Sequence, residues 1–138
     1  MNSFLLYICL VFAFITPTNP KLTLTVNNIK PIQGHIVIAV FNTETNFLKE
    51  EGRIKKYTMP VTKNTQELVI TDLPYGEFAI SIYHDENSDG EFNRNYLGIP
   101  KEPYGFSNNV KPRFSAPKYK DCKFLFNENK TLTINMIN

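Results

Sequence analysis

The sequence DLPYGEFAISIYHDENSDGEFN, residues 72–93, contains the features that decide the predicted fold. A Leu-Pro-x-Gly turn opens it, apolar residues at every second position follow (Phe78, Ile80 and Ile82), and an acidic turn begins after His84. Proline presets φ and glycine accepts positive φ, so the opening turn is typical of a tight connection between two strands. Alternation indicates a strand with one face on a core. The stretch predicts a β protein in which a strand leads directly into the acidic turn.

Similar alternation predicts strands on both sides of this stretch. The segment 21–29 alternates leucine and valine with threonine, which indicates a half-buried strand. The segment His35–Phe41 is apolar on both faces and therefore predicts a central strand. Pro60 cannot donate to a central ladder, so 57–61 is predicted to be an edge strand. Further strands are predicted at 68–70, 123–126 and 131–137, and the last two are expected to form a hairpin.

These segments predict an all-β fold, a single antiparallel β-sandwich of about seven strands, transthyretin-like or immunoglobulin-like in type. One long loop follows the acidic turn. At most one short helical turn is expected, over 47–51, with Asn46 as its N-cap and Gly52 as its terminator.

The first part of the chain, residues 1–18, is predicted to be a signal peptide. Its apolar run, Phe4–Ile15, is shorter than the roughly 20 residues that a membrane-spanning helix needs. Cleavage is expected near Thr18, which makes the protein secreted or periplasmic, with no transmembrane helix in the mature chain. An uncleaved membrane anchor is the alternative. Removal of the leader leaves Cys122 alone, and its apolar surroundings predict a buried thiol without a disulfide.

Residues 19–138 are long enough for a single domain with one core. The formal net charge of +2 does not indicate a nucleic-acid partner. The charge is uneven, because acidic residues crowd 85–91 and basic residues crowd 111–123. Two complementary patches or two solvated faces would both account for this distribution.

The acidic turn has the spacing D-x-N-x-D-G-x-F-N, which suits a calcium loop. Calcium takes several oxygen ligands from a tightly curved backbone, which alternate side chains, a bending glycine and a backbone carbonyl supply. The candidate calcium ligands are Asp85, Asn87, Asp89, Glu91 (through its carbonyl) and Asn93.

The calcium pattern is incomplete at its twelfth place, where an EF-hand has a bidentate glutamate and this chain has Tyr96. No helix is predicted on either side, so the turn is not an EF-hand. Glu86, Glu102 or water would have to supply the missing ligands. A metal-free turn is the alternative, because Asx side chains hydrogen-bond their own backbone in such turns.

The sequence His84-Asp85-Glu86 is the candidate for an enzymatic site. One histidine and two carboxylates are few ligands or catalytic groups for such a site. No H-x-H or H-x-x-x-H pair accompanies them, so zinc is not predicted. His84 is expected to hydrogen-bond within the loop that it begins. His35, beside a turn, is expected to be a surface or capping residue rather than a ligand.

The long loop behind the acidic turn is too apolar for a free linker and is a candidate binding surface. Its aromatic residues either pack on the sandwich or stack on a ligand such as a sugar. The candidate ligand- or partner-binding residues are Tyr96, Tyr104, Phe106 and Asn108. A glycan or an envelope protein is the expected kind of partner.

The run HDENSDGEFNRNYLGIPKEPYGFSNN, followed by the 114–121 motif F-S-A-P-x-Y-x-D, resembles the domain of unknown function 2141 family. The resemblance extends over about residues 22–137 and includes the turn at Asp72. It implies a small exported bacterial β-sandwich, transthyretin-like or carboxypeptidase-regulatory-like, and no activity. Family members often have Asn at position 89, Gly at 88 and Asp at 93, where this chain has Asp89, Ser88 and Asn93.

The expected function is that of an exported, non-catalytic binding module, in which calcium is a candidate structural ion. An enzyme or enzyme accessory using His84, Asp85 and Glu86 is one alternative. It requires these side chains to converge in a cleft. A purely structural envelope protein is the other alternative, and it requires the loop aromatics to be buried without an open groove.

Overall fold

The computed structural model describes residues 19–138, so the predicted leader lies outside the described residues. Two β-sheets pack face to face in this part of the chain. The strands are β1 (Leu22–Asn27), β2 (His35–Phe41), β3 (Lys55–Pro60), β4 (Gln66–Ile70), β5 (Gly76–Asp85), β6 (Tyr104–Phe106), β7 (Phe124–Phe126) and β8 (Lys130–Asn135). No helix in 19–138 is long and apolar enough to cross a membrane.

The predicted all-β sandwich is confirmed, with eight strands rather than about seven. One sheet has the order β4-β1-β8, and the other has the order β3-β2-β5-β6, with β7 also paired to β5. The additional strand, β6, lies within the predicted long loop. Its three residues are too few to show an alternating pattern, and only its pairing with β5 makes it a strand.

The core between the sheets is built from the inward residues of β1, β2 and β5. In β1 the buried leucines and valine alternate with half-buried threonines, as the sequence predicts. The residues of the core with no exposed surface include Leu22, Leu24, Val26, Ile36, Ile38, Val40, Ile80 and Ile134. Burial of such apolar side chains is the main stabilising contribution in a domain of this size.

The other face of the five-stranded sheet is also partly covered. A second apolar cluster, formed by Ala39, Phe41, Ala79, Phe106, Tyr119 and Cys122, lies there. It explains why β2 is apolar on both faces, and β2 is indeed central, between β3 and β5. Cys122 is fully buried, and burial raises the pKa of its thiol to about 11.

The predicted hairpin of the last two strands is wrong, because β7 and β8 belong to different sheets. β7 pairs with β5, where Phe124 and Phe126 pack against Phe78. β8 pairs with β1 in parallel, so the sandwich is not wholly antiparallel. The connecting turn crosses between the sheets, and the Asn129 side chain accepts a hydrogen bond from the Lys21 backbone at 2.8 Å.

The predicted helical turn over 47–51 is also wrong. Asn46 and Leu48 have positive φ, which is incompatible with a helix beginning there. A short 3-10 helix is found instead at Glu50–Gly52, without a side-chain cap. Further short helices are a 3-10 turn at Ser107–Asn109 and an α-helical turn, α1, at Tyr119–Cys122.

Gly34, in the turn before β2, is the glycine most closely packed against the acidic turn. Its φ is +67°, and a Cβ added to it would collide with the backbone oxygen of Asp85 and lie 2.9 Å from the Glu86 Cα. Gly98 also has a positive φ, +77°, but open space surrounds it. The two glycines therefore differ in packing while sharing a backbone conformation.

We expect Gly34→Ala to lower the free energy of unfolding by about 3 kcal/mol or more, because the cost of backbone strain and the cost of the clash with backbone atoms add together. Gly98→Ala, with strain alone, is expected to cost about 1 kcal/mol. Urea denaturation of both variants measures this difference. Equal losses would mean that the turn moves away from Asp85 without cost.

Candidate functional site

The end of β5 places His84 and Asp85 on opposite faces of the five-stranded sheet, because successive side chains of a strand alternate. His84 faces the core and is fully buried. Its Nε2 lies 2.7 Å from the carbonyl oxygen of Gln33, so Nε2 carries the proton and donates it. The side chain of His84 therefore ties β5 to the turn before β2, whereas the expected bond to the loop is made by its backbone N–H, which donates to the Pro103 carbonyl at 2.8 Å.

Asp85 organises the acidic turn by accepting backbone hydrogen bonds. Its two carboxylate oxygens accept the N–H groups of Asp89 at 3.1 Å and Gly90 at 2.9 Å. The carboxylate is 3% exposed, and such a buried charge requires these donors. Asp85 therefore bends the chain around itself, as a first ligand in a calcium loop would.

The candidate ligands Asn87, Asp89 and Asn93 lie together on the exposed side of the turn. The Asp89 carboxylate accepts hydrogen bonds from the Asn87 side chain at 3.1 Å and the Asn93 side chain at 3.0 Å. It also accepts the backbone N–H of Glu91 at 2.8 Å. These bonds, that from Glu91 above all, hold the pKa of Asp89 below its usual range.

Of the candidate side-chain ligands, only Asp85 and Asp89 are carboxylates, and Asn87 and Asn93 are amides. Across residues 19–138, no group of three or more His, Cys, Asp or Glu side chains is arranged to hold a metal ion. A calcium ion at the turn would therefore depend on the amide oxygens of Asn87 and Asn93 and on backbone carbonyls, besides Asp85 and Asp89. The amide groups of Asn87 and Asn93 now point their nitrogens at Asp89, so they would have to rotate.

Glu102 closes the turn from the following loop. Its oxygens accept the backbone N–H of Glu86 at 3.1 Å and of Asn93 at 3.0 Å, and the residue is 7% exposed. Sequence spacing indicates Glu102 only as one of several groups that could replace the missing ligand, since the eight residues 94–101 separate it from the turn. In the tertiary structure, Glu102 bonds the backbone near both ends of the turn and so holds the turn closed.

His84, Asp85 and Glu86 do not converge in one cleft. His84 points into the core, Asp85 is engaged by the turn, and Glu86 is half-buried beside a separate groove lined by Lys101 and Tyr104. His35 is half-buried and its Nδ1 lies 3.1 Å from the Ser88 hydroxyl. His35 therefore bonds the acidic turn, whereas His84, on the opposite face of the sheet, bonds the turn before β2.

An open groove runs along the outer face of the five-stranded sheet, beside the acidic turn. It has a volume of about 350 Å³. Aromatic side chains line its floor and charged side chains its edges: Tyr83, Phe92, Tyr104 and Phe106 on the floor, with Lys49, Arg53, Lys56, Glu91 and Arg94 at the edges. The ring of Phe92 lies 5.3 Å from that of Tyr83 and 6.1 Å from that of Tyr104.

The acidic turn forms one wall of this groove. The Tyr83 hydroxyl donates a hydrogen bond to the Gly90 carbonyl at 3.1 Å, and burial and the nearby carboxylates of Asp85 and Glu102 raise the Tyr83 pKa. The Arg94 guanidinium lies over the Phe92 ring at 5.0 Å. The position of the groove aromatics is thus linked to the conformation of the turn.

The predicted ligand-binding residues are only partly brought together. Tyr104 and Phe106 are neighbours in β6, with ring centroids 5.8 Å apart, and both line the groove. Tyr96 is 95% exposed on the loop and does not line it. The Asn108 side chain donates to the backbone oxygens of Asp121 and Lys123, so it supports α1. Tyr83 and Phe92 line the groove instead of Tyr96 and Asn108, although the sequence predicts them only as strand and turn residues.

We expect Glu102→Gln to lower the free energy of unfolding by about 2 kcal/mol. The carboxylate accepts each backbone N–H with a different oxygen, and an amide has only one oxygen. Glu128→Gln, at an exposed position in the turn before β8, is the control and is expected to change stability by less than about 0.5 kcal/mol. Chemical denaturation gives both values. A loss at Glu102 no larger than at Glu128 would contradict its role in holding the turn.

Comparison with known protein families gives a match over most of the chain. A family model described as "Uncharacterized protein conserved in bacteria (DUF2141)" matches residues 24–135, from β1 to the end of β8. No curated protein and no solved structure gives a significant match. The matched segment includes the acidic turn, Glu102 and every residue of the groove. The chain belongs to the DUF2141 family of uncharacterised bacterial proteins.

Proposed function

We propose that this protein is an exported, non-catalytic binding module that holds a glycan in the groove on the outer face of its five-stranded sheet. The observation that carries the proposal is the open, aromatic-floored groove between Tyr83, Phe92 and Tyr104. A purely structural envelope protein would need no such opening. The non-catalytic assignment is supported by the divergence of His84 and Asp85, which face opposite sides of β5.

The lining of the groove suits a sugar. The carbon-bound hydrogens of a pyranose ring form an apolar face that packs on aromatic rings, while its hydroxyls need hydrogen-bonding groups around them. Phe92 and Tyr104 offer the rings, and Lys56, Glu91 and Arg94 offer the polar edge. The volume of about 350 Å³ is at the lower end for small-ligand sites and fits one or two sugar rings.

We propose further that calcium stabilises the turn of Asp85, Asn87, Asp89, Glu91 and Asn93. The turn already has the curvature of a calcium loop, since Asp85 accepts the N–H groups of the fifth and sixth places. Asp89 is exposed, keeps its charge because its pKa is lowered, and faces two amide groups that can rotate to present oxygen. Glu102 is close enough to bond the N–H of the ninth residue.

The calcium turn and the groove would then act together. A bound ion would fix Gly90, whose carbonyl accepts the Tyr83 hydroxyl, and Phe92, which packs on Tyr83. Ordering these groups before the ligand arrives lowers the entropic cost of binding. Calcium is therefore expected to strengthen glycan binding without contacting the glycan.

For the calcium site, we expect titration calorimetry of the protein from Asn19 onward to give binding heat with Ca²⁺, and Ca²⁺ to raise the melting temperature. Asp89→Asn should weaken binding at least about tenfold because it removes an exposed carboxylate ligand. Asp121→Asn, a matched change at an exposed carboxylate outside the turn, should leave binding unchanged. Absence of heat and of a melting shift would refute the calcium proposal.

For the groove, saturation-transfer NMR with neutral and uronic-acid oligosaccharides should detect binding that Phe92→Ala lowers about tenfold or more, since a stacked ring is lost. Tyr75→Ala removes an aromatic side chain that is 59% exposed elsewhere and is the matched control. Repeating the titration with a calcium chelator tests the coupling separately. If no glycan binds, but an envelope protein binds and Phe92→Ala weakens that binding, the module binds a protein instead.

Export is tested by expressing the whole chain in a bacterial host. We expect intact-mass spectrometry of the exported protein to show a chain that begins near Asn19, because the apolar run ends before Thr18. A protein that stays membrane-bound with residue 1 intact would indicate an anchor rather than a cleaved leader.

A further inference from the structure

The segment between β6 and α1 has a surface that neither the groove nor the acidic turn uses. Phe114 is completely exposed, with a relative accessibility of 101%, and its ring contacts no other aromatic ring in residues 19–138. Such a large apolar side chain in water has no stabilising role in the folded domain. Leu125 and Val69, which are exposed in strands, keep about half of their surface buried, whereas Tyr96, at 95%, is nearly as exposed as Phe114.

Basic residues flank Phe114 in the sequence. Lys111, Arg113, Lys118 and Lys120 are all exposed, and none of them takes part in an ion pair among the described residues. The one basic residue nearby that is paired, Lys123, bonds Glu77 at 3.2 Å. The segment therefore presents an uncompensated positive charge around an exposed aromatic ring.

The base of the segment is firmly held. Tyr119 and Cys122 are buried in the second apolar cluster, and Val110 packs against it at the other end. The Ser107 hydroxyl donates to the Cys122 carbonyl and the Asn108 side chain donates to the Asp121 carbonyl. Pro112 and Pro117 restrict the backbone between these anchors. Phe114 is thus held out from the domain by a short, constrained loop.

We propose that the loop 111–118 docks this protein on an anionic lipid surface, with Phe114 inserted at the headgroup boundary and the flanking lysines and arginine on the lipid headgroups. An aromatic ring among cations matches the interfacial layer of a membrane, where apolar and charged groups are both satisfied. Long basic side chains can keep their charges at the headgroups while the ring enters below. This surface is independent of the proposed glycan groove.

The test uses a chain that begins at Asn19, which contains every strand of the sandwich and lacks the apolar leader. Sedimentation with vesicles of phosphatidylcholine and phosphatidylglycerol should carry the protein down, and vesicles of phosphatidylcholine alone should not. Phe114→Ala should reduce binding roughly fivefold or more. Lys111→Gln with Arg113→Gln should reduce it roughly tenfold or more, since each cation contributes at the surface.

Matched controls separate this loop from general charge. Lys21→Gln with Lys63→Gln removes the same charge at exposed positions elsewhere, and Val69→Ala trims an exposed apolar side chain of the other sheet. Both are expected to bind as the unaltered protein does. No binding to anionic vesicles, or equal losses in the controls, would overturn the proposal.

Fluorescence gives a second measurement, because the protein contains no tryptophan. Phe114→Trp should show a blue-shifted emission when anionic vesicles are added, and Tyr75→Trp, at a position 59% exposed, should not. Binding that persists in Phe114→Ala and is competed by soluble polyanions would identify an electrostatic site for a polyanion instead, and would also overturn the proposal.

Discussion

The hydrogen-bond ladder of β5 determines where each part of the site lies. β5 pairs with β2 along most of its length, with β7 at its beginning and with β6 near its end. This register turns Tyr83 toward the groove and His84 toward the core. A shift by one residue would exchange the two faces, burying a tyrosine hydroxyl where His84 now bonds Gln33. The ladder therefore fixes the groove and the acidic turn together.

The acidic turn depends on buried carboxylates rather than on apolar contacts. Asp85 and Glu102 are almost fully buried, and between them they accept the backbone N–H groups of Glu86, Asp89, Gly90 and Asn93. A tight turn has no ladder to satisfy its own N–H groups, so buried oxygen acceptors are needed in their place. The negative charge that results is also what would attract a cation, so structural support and the proposed calcium binding would draw on the same groups.

The outer face of the five-stranded sheet is covered unevenly, and this leaves two different surfaces. The segments around Phe47 and α1 cover one part of the sheet with the second apolar cluster. The part beside Tyr83 and Tyr104 stays open as the groove. The chain that covers the sheet continues through the exposed Phe114, so the covering segment itself presents a basic surface. In the two proposals made above, one face of the domain would hold a ligand and also contact a second partner.

The local sequence pattern was sufficient to predict the sandwich, the central position of β2, the edge position of 57–61 and the acidic turn, because each depends on alternation, on the missing N–H of Pro60 or on turn residues. It could not predict β6, whose three residues have no period of their own, or the separation of β7 from β8. Those pairings are decided by contacts distant in sequence, such as Phe124 on Phe78 and β8 beside β1. The same holds for Glu102 and Phe92: the residue types are visible in the chain, but only the tertiary structure brings the carboxylate to the turn and the ring to the groove.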